Sequence, residues 1–396
     1  MLEMRDFHTA SDNEIRAGQT TDVYFRRTVE ILKKKNIKKE VLAEFTTASL
    51  PSGYPWAVFA GLEYVVKLLE GIPVNLYALP EGTIFSPSDS EGVPVPVMIL
   101  EGDYKEFAEF ETPALGFICQ ASGIATKAAR IKKAAEDATV LSFGVRRMHP
   151  GISPFIDRNA YVGGCDGVSS ILGADAIGIR PTGTMPHALM LIMGEEEAWK
   201  AFDEVMPQDI PRIALIDTFG DEKFESIKAA STIKDLLGVR LDTPSSRRGN
   251  FARIVREVRW ELDVRGFTKV KVYVSGGLDE DDIPSLKEAG AYGFGVGTTI
   301  SNAPTIDFAM DIVEIEGKPL AKKGKFSSRK HVLRCGECLS LKVIPESRTN
   351  ESFYCCGKKM HSYLKKYLDN GKIVADLPNP GEIRRFVLDQ VQRVSL

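Results

Sequence analysis

The 396-residue sequence predicts an α/β fold: an irregular or truncated (β/α) barrel between two smaller regions. Three observations carry this. From Thr139 to Thr298, apolar runs suited to buried strands alternate with helix-patterned stretches, as in a parallel sheet. Two successive strands late in that region run into glycine loops, Ser275-Gly276-Gly277 and Gly295-Val296-Gly297-Thr298. Beyond it, four of the six cysteines crowd into one short segment.

Composition bounds the remaining possibilities. Hydrophobic content of 43%, charged content of 27% and a net charge of -3 describe an ordinary globular chain without the basic excess of a nucleic-acid binder. No run of 18 apolar residues occurs, and the polar start MLEMRDFHTASDNEIRAGQ does not read as a signal peptide, so a cytoplasmic protein without membrane attachment is expected.

Along the chain, Phe25, Val29 and Leu32 fall at helical spacing before the basic run KKKNIKKE, which reads as a solvated helix face. Tyr24 precedes Arg26 and Arg27, an edge able to face an anion. Trp56, Phe59, Leu62, Val66 and Leu69 predict one amphipathic helix, and the turn-rich stretch 74–110 a small antiparallel sheet. A long helix opens at Glu111-Thr112-Pro113. The expected strands are then TVLSF, DAIGI with GTM, RIALID, VRLD, VKVYV and GFGV, in six or seven units. Expected domains are residues 1–115, 116–305 and 306–396, the last carrying the cysteines and a closing helix on Ile383, Phe386, Val387, Val391 and Val394.

Glycines at the carboxyl ends of parallel strands remove the Cβ atoms that would keep an anion from backbone N–H groups. Two such loops side by side make a phosphate cup at the C-terminal face, where α/β barrels hold sugar phosphates. The other strand ends aim polar residues at the same mouth: Phe143, Arg146 and Arg147; Thr184 and His187; Asp217 and Thr218; Arg240 and Asp242. Singly, Asp217 also reads as a helix cap, Arg240 as a partner of Asp242, and His187 equally well as a packed histidine. Together they suit a substrate with more than one anionic group, the carboxylate stabilising positive charge or holding Mg2+.

Cys335-Gly336-Glu337-Cys338 followed by Cys355-Cys356 has the spacing of a tetrahedral structural Zn2+ site, with His361 as an alternative to one of the adjacent pair. A zinc ribbon for nucleic acid is the competing reading, weakened by thin aromatic interleaving among Lys358, Lys359, Lys365 and Lys366. Cys119 and Cys165 read as packing residues.

ETPALGFICQASGIATKAAR, LSFGVRRMHPG, YVGGCDG, GTMPHALM, IDTFGD, GVRLDTP, VSGGLDEDDI and FGVGT occur in that order, and in them the chain resembles the type II phosphoribosyltransferases, most of all their nicotinate-using members. The resemblance implies an N-terminal α/β sandwich on an incomplete barrel, two subunits completing each other's sites, and formation of nicotinate mononucleotide and pyrophosphate from nicotinate and 5-phosphoribosyl-1-pyrophosphate, often coupled to ATP hydrolysis with Mg2+. It implies that Gly276, Gly277, Gly297 and Thr298 hold the ribose 5-phosphate, with Ser275 a further substrate contact, and that Phe143 and Tyr24 of a neighbouring subunit sandwich the pyridine. It further implies that Arg146 meets the phosphates, that Arg240 meets the nicotinate carboxylate or pyrophosphate, and that Arg147 and Thr184 also contact substrate. Asp242 would sit by the ribose, and His187 would match the histidine that ATP phosphorylates.

Two departures choose within the family. Quinolinate enzymes carry a His-Arg pair where this chain has Gly167-Val168-Ser169-Ser170, and nicotinamide-using relatives carry an aspartate where it has Met185. A pyridine monocarboxylate is therefore expected rather than quinolinate or nicotinamide.

Overall fold

In a computed structural model, which describes residues 6–396, the chain forms two units. One comprises the chain up to Thr126 together with Pro304–Leu396; the other is Lys127–Ala303.

In the first unit, Glu40–Thr47 is buried at every position but its first and lies inside a seven-stranded sheet. With both faces covered it shows no alternation, which is why the sequence gives no strand signal there. Phe308–Ile315 and Met98–Asp103 flank it, both antiparallel. Val74–Ala78, then Lys365–Asp369, extend the sheet beyond Met98–Asp103. Residues 306–396, expected as a separate domain, thus supply strands to the N-terminal sheet, and Val332, Val343, Tyr367 and Leu368 join its apolar core.

The helix expected over Trp56–Leu69 is confined to Leu62–Leu69. Gly61 precedes it at φ 92°, where a Cβ would lie 3.0 Å from the Phe117 carbonyl, and Ala57–Val58 pairs instead with Ile84–Phe85. The long helix is Glu111–Ala135 and the closing helix Pro380–Val391, which buries Ile383, Val387 and Val391 as its spacing requires.

The second unit is a parallel six-stranded sheet. Its strands are β1 Thr139–Ser142, β2 Gly167–Val168, β3 Ile213–Ile216, β4 Gly238–Leu241, β5 Lys271–Ser275 and β6 Gly293–Val296, in spatial order β2-β1-β6-β5-β4-β3. Every pair is parallel, and the β3 and β6 side chains are buried throughout. The hydrogen bonds leave β2 and β3 at the two edges of the sheet.

One expected strand is corrected. DAIGI lies on the helix Ile171–Ile177, capped by the Ser170 side chain and closed by Gly178 at φ 78°, while GTM is irregular chain. A short apolar run does not distinguish helix from strand by period alone. The strand of this unit is the preceding Gly167–Val168.

Candidate active site

All six strands point their carboxyl ends the same way, and the loops after β1, β4, β5 and β6 meet at a cavity of about 640 Å³. Phe143, Arg146, Arg147, Thr184, His187, Arg240, Asp242, Ser275, Gly276, Gly277, Gly297 and Thr298 all line it. Of the residues expected to contact substrate, Tyr24 alone belongs to the first unit, on the helix Val23–Lys34, where it is 56% exposed beside Phe25.

The two turns are bare backbone. Gly276 and Gly277 take φ of 96° and 64°, successive left-handed residues that only glycine adopts readily. A Cβ on Gly276 would lie 3.1 Å from the Asp242 Oδ1, whereas Gly277 faces open space. Across the mouth Gly297 begins the turn Thr298–Ser301, and its carbonyl accepts from Ile300 and Ser301. Gly144 permits this arrangement, since a Cβ there would meet that carbonyl at 2.5 Å. Phe143 rests its ring on Gly295, where a Cβ would come within 2.5 Å of the ring edge.

Arg240, half-buried, is spoken for on each nitrogen. Its Nε donates to Thr184 Oγ1 (2.9 Å), Nη1 to Ser275 Oγ (3.0 Å) and Nη2 to the Met185 carbonyl (3.0 Å). Nη1 also lies 3.3 Å from Asp242 Oδ2. The guanidinium thereby ties β4, β5 and the 182–186 segment together. Asp242 Oδ1 in turn accepts from Ser275 Oγ at 2.8 Å. Arg146 and Arg147, in contrast, line the cavity with exposed side chains.

His187 begins the helix His187–Met193. Its Nδ1 lies 3.2 Å from Thr218 Oγ1, and its Nε2 sits between two carboxylates, 3.7 Å from Asp242 Oδ2 and 3.9 Å from Asp217 Oδ1. Asp217 is the residue the sequence underweighted. It is non-glycine at φ 85°, its side chain is 2% exposed, and Oδ2 accepts from the Asp242 N–H (2.5 Å) and Thr243 Oγ1 (2.9 Å). Its Oδ1 is buried without a hydrogen-bond partner. Burial pushes its carboxyl up to about 7 against those hydrogen bonds, so near neutrality it holds or releases a proton beside His187. Ser169, in the segment that replaces the quinolinate enzymes' His-Arg pair, lines the cavity, and so does Thr182, which was not expected. Both lie in irregular chain, where no pattern marks them.

The cysteine segment belongs to the first unit. The Sγ atoms of Cys335, Cys338, Cys355 and Cys356 all lie within 4.8 Å of one another, and among the described residues no histidine joins them. Tetrahedral thiolates at about 2.3 Å from a zinc ion stand nearly 4 Å apart. Cys338 and Cys355 are at 3.4 Å, Cys355 and Cys356 at 3.8 Å, so the thiols fit such an ion. Adjacent cysteines can share a centre because Tyr354–Cys355 and Lys358–Lys359 form a hairpin whose loop residues, Cys356 and Gly357, are both left-handed (φ 52° and 73°). The Ser340 hydroxyl beside Cys338 pulls its thiol down to about 6, toward the thiolate a metal requires.

Similarities to known proteins bear on the same residues. Residues 22–122 match the N-terminal domain of quinolinate phosphoribosyl transferase and residues 124–311 its C-terminal domain. The crystal structure of nicotinate-nucleotide pyrophosphorylase from Pyrococcus furiosus is 54% identical, with a TM-score of 0.94 over 98% of this chain and 99% of that one. A nicotinate phosphoribosyltransferase of Mycobacterium tuberculosis is 28% identical over 81% of this chain and 77% of its own length. The human nicotinic acid phosphoribosyltransferase shares the fold at 18% identity, with a TM-score of 0.74 over 95% of this chain and 94% of that one.

Proposed function

The chain belongs to the type II phosphoribosyltransferase family, and from that premise we propose that it is a nicotinate phosphoribosyltransferase of NAD salvage, forming nicotinate mononucleotide and pyrophosphate from nicotinate and 5-phosphoribosyl-1-pyrophosphate. The observation that carries the reading is the single cavity in which the Gly276–Gly277 and Gly297–Thr298 turns face Phe143, Arg146 and Asp242.

In this reading the turns grip the ribose 5-phosphate through backbone N–H groups. Phe143 and Tyr24 of a second subunit of a homodimer clamp the pyridine between their rings. Arg146 and Arg147 meet the pyrophosphate, with which Mg2+ enters. As the pyridine nitrogen displaces pyrophosphate at the anomeric carbon, positive charge grows on the ribose, and Asp242 supplies the opposing charge. Arg240, held by Thr184, Ser275 and the Met185 carbonyl, keeps Asp242 in place. Coupling to ATP would run through His187, whose Nε2 stands between Asp217 and Asp242.

Substrate choice follows from two positions. Ser169 lines the cavity without a cation, and Ser170 is engaged with the buried Asp157, so a second carboxylate would lack a partner. Met185 offers no side-chain acceptor for an amide.

The same proposal takes the six-stranded sheet as the family's truncated barrel and the cysteine cluster as a structural Zn2+ site. Cys335, Cys338, Cys355 and Cys356 would be its ligands, stapling the 335–362 segment.

Assay of nicotinate, quinolinate and nicotinamide with 5-phosphoribosyl-1-pyrophosphate and Mg2+, with and without ATP, tests the reading. Nicotinate is expected to turn over at least tenfold faster than either alternative, with ATP raising the yield. Faster turnover of quinolinate or nicotinamide would overturn the substrate.

A further inference from the structure

Asp217 reaches His187 from a loop that cannot hold itself. A non-glycine residue at φ 85° costs on the order of 1–3 kcal/mol and persists only where its surroundings impose it. Beyond the Asp242 N–H and Thr243 hydroxyl that hold its side chain, one carboxylate secures the backbone here. Glu225, on the helix Glu222–Thr232 and 5% exposed, receives the backbone N–H groups of Asp217 (2.6 Å) and Thr218 (3.1 Å) on Oε2, and those of Phe219 (3.1 Å) and Gly220 on Oε1. Four consecutive amides converging on one side chain form an anion nest, filled by the protein's own glutamate.

Burial opposes ionisation of Glu225, but the loop amides help to hold it below the usual carboxylate range. Glu195, which opens the helix Glu195–Val205, is raised to about 7, by burial first and then by Glu225.

The surrounding charges are few. Lys228, one turn along from Glu225, pulls Glu195 down and lies 3.5 Å from Glu196 Oε2. Glu222 accepts from Thr243 Oγ1, and Lys223 pairs with Glu257. Asp217 and His187 stand on the far side of the loop.

We propose that Glu225 is a positioning residue for the reaction: its carboxylate fixes the Asp217–Gly220 loop so that Asp217 Oδ1 and Thr218 Oγ1 are presented to His187. The catalytic part of this rests on the reading of the cavity as a phosphoribosyltransferase site; the structural part does not.

Hydrogen exchange of the Asp217–Gly220 amides reads the loop without any substrate. In Glu225→Gln the new NH2 group confronts N–H donors it cannot accept from, and exchange there is expected to rise at least tenfold over the rest of the chain. For catalysis, Glu225→Gln is expected to lower kcat at least tenfold while the KM for nicotinate changes less than twofold. Unaltered loop exchange or an unaltered kcat in Glu225→Gln overturns the proposal. Loop exchange that responds as described in a protein that does not turn over nicotinate overturns the enzyme reading and leaves the clamp standing.

Discussion

Asp242→Asn is expected to lower kcat by about 100-fold or more while leaving the affinity for nicotinate mononucleotide within a few-fold of wild type. The substitution is nearly isosteric in this setting. The Asn carbonyl can still accept from Ser275 Oγ, which lies 2.8 Å from the native Oδ1, so β4 and β5 keep their link. What disappears is the charge that Oδ2 presents 3.3 Å from Arg240 and 3.7 Å from His187. A nucleotide product carries a stable glycosidic bond and makes little use of that charge. The state between bond breaking and bond making, in which the ribose is cationic, makes full use of it. Steady-state kinetics with a calorimetric titration of nicotinate mononucleotide separate the two, and equal losses in kcat and product affinity would contradict the role.

Gly277→Val is expected to weaken nicotinate mononucleotide binding by about 100-fold or more, through two effects at one position. The residue sits at φ 64°, where a β-branched side chain is a steric outlier and the turn must flatten. The space a Cβ would enter is empty of protein atoms, and in the proposed complex it is where the phosphate stands. Gly276→Ala would instead press on Asp242 Oδ1, 3.1 Å from the added Cβ, and so disturb catalysis more than phosphate binding. Ligand-dependent melting measures the difference: saturating nicotinate mononucleotide should raise the wild-type melting temperature and leave Gly277→Val unmoved. An equal rise in both would contradict a phosphate at this turn.

The site was legible because it is built from strand ends. The runs of β1, β4, β5 and β6 are short, mostly apolar and followed at once by residues that line the cavity, so chain order alone brought Phe143, Asp242, Gly276 and Gly297 to one mouth. The elements that escaped share a different origin. Glu40–Thr47 is buried on both faces and interrupted by Glu44, whose carboxylate is matched by Lys330 nearly three hundred residues away (2.7 Å), a partner invisible to any local pattern. Ile177 and Ile179 alternate across Gly178, a period-two pattern that makes the end of a helix look like a strand although both are only part-buried. The joining of Lys365–Asp369 to Val74–Ala78 depends on long-range pairing of the same kind. Asp217 and Glu225 were hidden for a conformational reason: a left-handed aspartate and its clamp appear in sequence only as one more strand end and one more helix glutamate.

The account depends most on where the ribose phosphate lies. The direct measurement is a crystal structure of the protein with nicotinate mononucleotide bound. The phosphate is expected within hydrogen-bond reach of the Gly277 and Thr298 N–H groups, with the pyridine ring against Phe143 and the ribose beside Asp242. A phosphate bound elsewhere, with both glycine turns unengaged, would contradict it.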